Sequence, residues 1–403
     1  MRTFLFFITI ILPIYLTSQE QMICGTNQIM SDSSASDFYE NANSIISAHS
    51  NQNSNTKRST LVVPVVFHVV YNTADQNIPD SLIHHQLQVL NEDFKRLNSD
   101  TVNTPLSFKS IAGAMDIDFC LAQQDPDGNP TDGIVRVATS ETFFPSVTSY
   151  NVPDPIKHDS SGGSDAWNTQ QYMNIWICNL SGSSGYTAPP GNFAPEDDGL
   201  VCHYEFIDKV VQGDYGKGRV IVHEMGHWFF LKHIWGDDDG ACTGTDYIND
   251  TPNQAEWTGS CPTFPVIDSC SPSTPGIMFM NYMDYTIASC KNLFTEGQVD
   301  YMSNGYDALM TDYYTENKCV STVSTDDYNS NNKIFFDGKS IVVDFENYFS
   351  SVEIYDMTGR KVHKSRLSKT HIHYFTPTRK GIYIVKVVDE SQRVTFKKVA
   401  CMN

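Results

Sequence analysis

The chain has 403 residues, of which 40% are hydrophobic and 12% aromatic, so it is long enough for two or three domains with packed cores. Its formal net charge of −20 argues against nucleic acid or an anionic membrane surface as a partner. The acidic balance is compatible with bound calcium or with basic peptide substrates, but it also keeps secreted proteins soluble, and we give that explanation more weight.

Residues 1–18 have the features of a secretory signal peptide. Arg2 supplies a positive charge, and the apolar run from Phe4 to Leu16 is too short for a transmembrane helix. We expect cleavage near Ser18 and no transmembrane segment in the mature protein, because no later apolar run approaches about 18 residues. Export is consistent with the ten cysteines, since disulfides persist outside the cytosol.

Residues 19–59 are rich in Ser, Asn and Gln, which predicts a pro-segment or a flexible leader rather than a domain. They include Cys24, which is followed by Gly-Thr. One interpretation is that this thiol occupies the open position of a metal centre and keeps an enzyme latent. The other is an unpaired thiol or one half of a disulfide. The basic pair Lys57-Arg58 is a candidate activation cleavage site.

Strands and helices alternate in the next part of the chain. Helical spacing of apolar residues predicts a helix over 81–97, and apolar runs predict buried strands over 61–71, 115–122, 173–180 and 200–206. His68 is expected to be a core or hydrogen-bonded residue of the first strand. The irregular segment 185–191 is expected at a sheet edge. Because a further helix follows, this region is predicted to be an α+β lobe.

Residues 223–233 read HEMGHWFFLKH and predict a zinc centre. His223 and His227 are four residues apart, which places both imidazoles on one face of a helix, where they can bind one metal ion. Along a straight helix His233 would lie about 15 Å from His223, so the chain has to leave the helix after about Phe229 and turn back. Three nitrogens and one open position are typical of a catalytic zinc site. The alternative is an amphipathic helix with surface histidines.

Three more residues have predicted roles at this centre. Glu224 is the candidate general base, because it can take a proton from a water molecule beside the metal without binding the metal itself. Met283 would form the apolar floor, and Tyr285 would stabilise the oxyanion of the transition state. A buried aromatic cluster is the alternative for the segment 281–285.

An acidic, glycine-rich stretch follows His233. Asp246 and Asp250, together with the acidic run 237–239, offer hard oxygen ligands that suit calcium, and a solvated acidic loop fits the spacing equally well. This irregular region needs cross-links, and four cysteines predict two disulfides with three possible pairings. The cysteines are Cys242, Cys261, Cys270 and Cys290.

These motifs together resemble the pappalysin family of metzincin metalloproteases, over roughly residues 60–318. The resemblance implies a secreted endopeptidase that acts on protein or peptide substrates. It also implies a two-lobed catalytic domain over residues 60–319, with a twisted sheet and a long active-site helix. The matching segments are VVFHVVY at 65–71, DPDGNPTDGI at 125–134, GYTAPPG at 185–191, HEMGHWFFLKH at 223–233, DTP at 250–252 and NYMDY at 281–285.

The resemblance also implies roles for individual residues. Glu224 would be general base and acid, Tyr285 the transition-state stabiliser, and Met283 the turn methionine. The Cys-Gly-Thr at Cys24 matches a latency switch, and calcium binding near the active site would involve Asp246 and Asp250. The implied zinc ligands are His223, His227 and His233, and the implied disulfides are Cys242–Cys270 and Cys261–Cys290.

One position departs from the family pattern. The metzincin motif has glycine where the chain turns back, and here that residue is Phe230. A phenylalanine adopts a positive φ at a cost of about 1–2 kcal/mol, whereas glycine adopts it freely. The alternative to an active enzyme is therefore a catalytically impaired, surface-displayed binding protein on a metzincin scaffold.

Residues 320–332 are predicted to be a polar linker, and residues 333–403 a separate small all-β sandwich with a hairpin turn at 357–360. The segments IYDMTGRKV and GIYIVKV resemble C-terminal sorting domains of the type IX secretion system. This resemblance implies that the secretion machinery is a partner and that the domain is then removed or attached to the surface. A carbohydrate- or partner-binding module is the alternative, and we expect a monomer.

Overall fold

The computed structural model describes the ranges 24–30, 33–53, 59–147, 149, 152–208, 210, 214, 216–238, 240–319, 333–356, 359–389 and 394–401. The predicted signal peptide, the pair Lys57-Arg58 and the predicted linker lie outside the described residues. The chain divides into two units, residues 1–122 with 133–319, and residues 123–132 with 320–403. None of the described helices combines the length and apolar character needed to cross a bilayer.

Within its described residues, the first unit contains six α-helices and eight strands. The helices are α1 (Thr26–Met30), α2 (Ser33–Asn53), α3 (Asp80–Phe94), α4 (Leu106–Lys109), α5 (Arg219–Trp228) and α6 (Glu296–Leu309). The strands are β1 (Leu61–Tyr71), β2 (Ile117–Leu121), β3 (Ile134–Ala138), β4 (Phe144–Pro145), β5 (Met173–Cys178), β6 (Leu180–Ser181), β7 (Gly185–Tyr186) and β8 (Leu200–His203).

Strand β1 is the central element of a six-stranded sheet with the order β2-β1-β5-β8-β7, in which β3 also pairs with β1. The pairs are parallel except for β7 with β8. Residues 63–70 of β1 are all buried, as expected for a strand covered on both faces. The predicted strand 61–71 is therefore confirmed, and the single antiparallel strand β7 lies at the sheet edge.

His68 is a core residue of β1, as predicted. Its Nδ1 lies 2.9 Å from Ser164 Oγ, its Nε2 lies 2.9 Å from Asn174 Oδ1, and its ring stacks on Trp176. Burial lowers the pKa of His68 to about 4, so the imidazole is neutral at physiological pH.

The other predicted elements form with shorter bounds. The helix predicted over 81–97 ends at Phe94, and Leu97 lies beyond it with 69% of its surface exposed. The strand predicted over 200–206 ends at His203, because a 3-10 turn, Tyr204–Phe206, follows at once.

Residues 19–59 were predicted to be a pro-segment or a flexible leader, and the flexible leader is wrong for their described part. Helix α2 has 21 residues and packs against α6. Tyr39, Ala42 and Ile46 are buried and recur at helical spacing, so a narrow stripe is enough to attach an otherwise polar helix. Composition hid this stripe, because the helix is stabilised by tertiary packing rather than by its own sequence.

Three disulfides cross-link the first unit. Two of them, Cys242–Cys270 and Cys261–Cys290, have the pairing that the family resemblance implies. The third joins Cys120 in β2 to Cys319, a pair that spacing alone did not indicate. Among the described cysteines, Cys24, Cys178, Cys202 and Cys401 are not in disulfides.

The described part of the second unit is all-β and antiparallel, with the order β11-β10-β12-β13 and with β9 on β10. The predicted all-β sandwich is confirmed. Strand β11 was not predicted, because its sequence alternates lysine, arginine and histidine with few apolar residues. The strands are β9 (Lys333–Phe336), β10 (Ile341–Asp356), β11 (Lys361–Phe375), β12 (Gly381–Asp389) and β13 (Val394–Cys401).

The first residue of α5 is fixed by a buried ion-pair network. The guanidinium of Arg219 donates to Asp93 on α3 at 2.9 Å and to Asp100 at 2.6 Å. Arg219 is 5% exposed and Asp93 is 4% exposed, so neither charge has free access to water. Removing one partner of such a pair leaves an uncompensated buried charge.

Replacing Arg219 by methionine is therefore expected to lower the free energy of unfolding by about 3–5 kcal/mol. The matched control is Arg136→Met, because Arg136 pairs with the largely exposed Asp80 and should cost less than about 1 kcal/mol. Urea unfolding of both variants measures the difference. Equal losses would show that the network does not fix the start of α5.

Candidate metal centre

The chain turns back directly after α5. Leu231 N donates to Gly226 O at 3.0 Å, and Phe230 N donates to His227 O at 2.9 Å, which is the Schellman arrangement of a helix end. Its left-handed position is held by Phe230, with φ 71°. The turn predicted after about Phe229 is confirmed, and phenylalanine occupies the conformation that normally favours glycine.

This turn brings the three predicted histidine ligands together. Their Nε2 atoms are 3.2 Å apart for His223 and His227, 3.1 Å for His227 and His233, and 3.3 Å for His223 and His233. All three side chains are fully buried. Atoms at these separations can bind one ion with nitrogen–metal distances of about 2.0–2.1 Å.

The opposite nitrogen of each ring faces an oxygen that only accepts. His223 Nδ1 lies 2.7 Å from Tyr282 O, His227 Nδ1 lies 2.8 Å from Leu231 O, and His233 Nδ1 lies 3.0 Å from the carboxylate of Asp237. Each Nδ1 therefore carries the proton, and three Nε2 lone pairs converge. Burial lowers the pKa of His223 and of His227, which keeps these rings neutral. Converging lone pairs without a donor fit a cation.

Cys24 completes the same cluster. One ligand atom from Cys24 and from each of the three histidines lies within 4.8 Å of the others, and no other group of this kind occurs in the part of the chain that the structure describes. Burial, together with the charge of Glu224, raises the pKa of the Cys24 thiol. The thiol is therefore protonated unless a cation lies beside it.

Glu224 lies beside this cluster and is 1% exposed. Its Oε2 accepts from Thr26 Oγ1 at 3.0 Å and from Cys24 Sγ at 3.5 Å. Its Oε1 has no hydrogen-bond partner among the described residues. Burial raises the pKa of Glu224 to about 7.

The predicted floor and the predicted oxyanion donor both lie at the cluster. A Cβ built on Gly226 would collide with Sδ of Met283, so the helix and the methionine are in direct contact. The Tyr285 ring is 5.0 Å from that of His233, and its hydroxyl donates to Cys24 O at 3.5 Å. Burial raises the pKa of Tyr285, which keeps the hydroxyl protonated.

The carboxylates proposed for calcium have protein partners. Asp246 accepts from Thr251 Oγ1 at 2.7 Å and from Ile248 N at 3.0 Å. Asp250 accepts from Gly297 N at 2.8 Å, in the first turn of α6. The two residues do not share a cluster of three potential ligands in the described structure, so calcium binding stays a prediction.

Three further residues support the centre, and sequence reasoning missed them. Asp237 orients His233 four residues away, a spacing that was available in the acidic run but was interpreted as a calcium or solvated loop. Trp235 stacks on His233 with ring centroids 4.3 Å apart. Lys291 is fully buried and donates to Tyr282 O at 3.4 Å, the carbonyl that also accepts from His223. No sequence signal distinguishes such a lysine from a surface one.

Residues near the start of the described chain cover the sheet edge next to the centre. Gly25 N donates to Gly185 O at 2.8 Å, and Cys24 forms a parallel bridge with Gly185 of β7. The predicted edge segment therefore pairs with extended backbone, and in the full chain that backbone belongs to Cys24 and Gly25.

Comparison with known proteins agrees with this geometry. Residues 157–307 match the peptidase family described as pregnancy-associated plasma protein-A. An extracellular metalloprotease of Colletotrichum graminicola is 31% identical over 253 residues, which cover 60% of this chain and 74% of the relative. The chain belongs to the pappalysin family of metalloproteases. This pappalysin is a metalloendopeptidase, as the sequence predicted.

Solved structures are similar to this pappalysin as well. Mature mirolysin of Tannerella forsythia, determined with a cleaved peptide, is 48% identical, with a TM-score of 0.61 over 64% of this chain and 97% of that chain. A substituted promirolysin of the same organism is 44% identical, with a TM-score of 0.66 over 72% of this chain and 96% of that chain. The predicted metzincin-like fold is confirmed.

The C-terminal unit is also assigned by comparison. Residues 331–401 match the secretion system C-terminal sorting domain. Together with its extracellular relatives, this domain makes the protein a secreted or cell-surface one, as predicted.

The contact between Gly226 and Met283 can be tested directly. Gly226→Ala places a methyl group against Met283 Sδ, and overpacking of this kind costs about 1–3 kcal/mol. Because His223 and His227 flank Gly226, we expect peptide cleavage to fall by about tenfold or more, together with metal affinity measured by competition with a chelator. The double variant Gly226→Ala/Met283→Ala should recover part of both. Full activity of the single variant would contradict the close contact.

Proposed function

We propose that this protein is a secreted zinc-dependent endopeptidase that hydrolyses peptide bonds in proteins with Glu224 as general base. The observation that carries the proposal is the convergence of three Nε2 atoms beside a buried carboxylate with one oxygen unpartnered. Three imidazoles and a thiol are nitrogen and sulfur donors, a set that favours zinc over the hard cations calcium and magnesium. Bound zinc would supply Lewis-acid polarisation of the scissile carbonyl and acidify a water molecule.

Glu224 would take a proton from the attacking water and deliver it to the leaving amine. In the full chain, burial raises the pKa of Glu224 to about 7, which is the direction that lets a carboxyl both take up and release a proton near neutral pH. Tyr285, held protonated by burial, would donate its hydroxyl to the oxyanion of the transition state. Its contact with the Cys24 carbonyl supports this role, since a peptide carbonyl already lies within its reach.

The full chain would be latent. Cys24 shares the cluster with the three histidines, and Thr26 donates to the proposed general base, so the pro-segment covers both reactive groups. A substrate would replace it as an extended strand on β7, where Gly185 O accepts from Gly25 N in the full chain. Removal of the pro-segment would then activate the enzyme.

The second candidate is the catalytically impaired binding protein motivated by Phe230. The positive φ of Phe230 is the observation in its favour. The convergence of the three Nε2 atoms supports the enzyme instead, because the strained turn still delivers His233 to the other two ligands.

Cleavage of casein or gelatin by the mature form separates the two candidates. We expect cleavage that a zinc chelator abolishes, tight metal near one equivalent, and a loss of about 10²–10⁴-fold in Glu224→Ala, the range for removal of a general acid–base group. The control is Glu141→Gln, an exposed glutamate whose replacement should change nothing. Absent cleavage with one equivalent of metal bound would favour the binding protein.

We also propose that calcium binds at the loop of Asp246. Burial raises the pKa of Asp246 to about 7, above that of the unfolded chain, so without calcium this site destabilises the fold progressively as pH rises from about 4 to 7. Calcium would remove that penalty by favouring the carboxylate.

Calcium should therefore raise the melting temperature more at pH 8 than at pH 5. The gain should be absent in Asp246→Asn, which should itself be more stable relative to the parent at pH 8 than at pH 5. Thermal unfolding with and without calcium measures both effects. The matched control is Asp268→Asn, and an equal calcium response in Asp246→Asn and the parent would place the ion elsewhere.

The sorting domain would engage the type IX secretion machinery during export and then be removed or attached to the surface. The full chain has a formal net charge of −20, and on that basis we propose that neither nucleic acid nor an anionic membrane is a partner. We also propose that the mature enzyme is a monomer.

A further inference from the structure

The ring of Phe230 packs against α6. A Cβ built on Gly305 would lie 2.7 Å from Cδ2 of Phe230 and 3.3 Å from Cδ1 of Ile46. The side chains of Phe230 and Ile46 therefore both lie against the bare backbone of Gly305. Each is 1% exposed, and both belong to one buried apolar cluster. The turn that presents His233 to the metal centre thus packs in the same cluster as helix α2.

Helix α2 meets this region with one face. Ala42 and Ile46 are buried, and polar contacts continue along the same face: Tyr301 donates to Asn43 Oδ1 at 3.4 Å, and a His49 nitrogen lies 3.3 Å from Asn304 Oδ1. Ile45, the neighbouring apolar residue of the same helix, is 38% exposed. Ile46 faces α6 and the adjacent Ile45 does not, so replacing each in turn distinguishes an effect on the packing against α6 from a general effect on the helix.

We propose that Phe230 is an anchor for the pro-segment helix, and that Phe230 with Tyr301 and Gly305 of α6 forms a docking surface for that helix. The occupant is α2 of this same chain, recognised by the small and apolar stripe Ala42 and Ile46. A glycine at position 230 would satisfy the left-handed turn without strain but would leave nothing to fill the space over Gly305. The phenylalanine therefore serves the pro-segment rather than the reaction.

This inference rests on the proposed function only in treating α2 as part of a pro-segment. It adds a second attachment point to the one at Cys24. The two points differ in chemistry: Cys24 offers a metal ligand, whereas α2 is held by the apolar residues Ala42 and Ile46 and by hydrogen bonds to α6, none of which involves a metal. The two points can be loosened separately.

Hydrogen exchange of the full chain tests the proposal without relying on activity. All variants carry Glu224→Gln, so that none can cleave itself, and the amide keeps a side-chain oxygen that accepts from Thr26. We expect Phe230→Gly and Ile46→Ala each to speed exchange of the α2 amides by about tenfold or more, because each removes one side of a buried contact. Their combination should add little to the larger single effect, since both disrupt the same contact.

The matched control is Ile45→Ala, which should leave α2 exchange within about twofold of the parent. Should Phe230→Gly fail to fold, Gly305→Ala tests the same contact, because its methyl group would displace the ring. Unchanged α2 exchange in Phe230→Gly, or equal effects of the two isoleucine variants, would overturn the proposal.

Peptide cleavage by the mature parent, with Glu224 intact, separates this inference from the proposed function. Phe230 lies in the turn that carries His233, so its variant is used for the exchange measurement alone. Faster α2 exchange in a protein that cleaves no peptide would support the docking surface and reject the protease. Cleavage with unchanged α2 exchange would do the reverse.

Discussion

The structure depends on bringing three hydrogen-bond acceptors within 3.3 Å of one another in a dry interior. Each Nδ1 donates its proton to an oxygen on the far side of the ring. The three Nε2 lone pairs therefore face one another, and a cation between them would remove their repulsion. The surrounding fold holds the rings in place: helix α5 sets two of them, the turn after Trp228 sets the third, and Met283 closes the site from below. The metal preference follows from this pre-assembled donor set.

Two buried ionisable side chains support the segment next to this centre. Asp284, which belongs to the segment 281–285, and Lys291 are both fully buried. The amine of Lys291 donates to the Tyr282 carbonyl, and Asp284 accepts from the backbone of Tyr285 at 2.6 Å. Burial raises the pKa of Asp284 and lowers that of Lys291, so each group in isolation would favour its neutral form. Lys291 holds the Tyr282 carbonyl on one side of Met283, and Asp284 holds the Tyr285 amide on the other.

Much of the site could be predicted from sequence because its parts are local. The spacing of His223 and His227 follows from helix geometry, and the return of His233 follows from the distance that a straight helix would impose. Strands were predicted correctly where the apolar run was long, as in β1. The resemblance to a known family supplied the disulfide pairing in the loop after the centre, which spacing left open.

What could not be predicted depends on contacts distant in sequence. Helix α2 is held by a face that composition conceals, and β11 is a strand because its neighbour β10 pairs with it over most of its length. Asp237 lies four residues after His233, a spacing that allows a hydrogen bond to the ring, but the acidic run was interpreted as a calcium ligand or a solvated loop. The position of Phe230 was recognised as unusual, yet only the packing over Gly305 gives its side chain a purpose.

The bond between Cys120 and Cys319 has a mechanical meaning. Cys319 is the last described residue of the first unit, and the bond ties it to β2, next to the central strand. Unfolding that begins in the chain after Cys319 is stopped by this covalent bond before it reaches α6. Cys120 and Cys319 are 199 residues apart in sequence. In the chain-entropy description, closing a loop of that size raises the free energy of the unfolded chain by roughly 5 kcal/mol. Cleavage of the chain after Cys319 would therefore leave this end of the first unit covalently attached to β2.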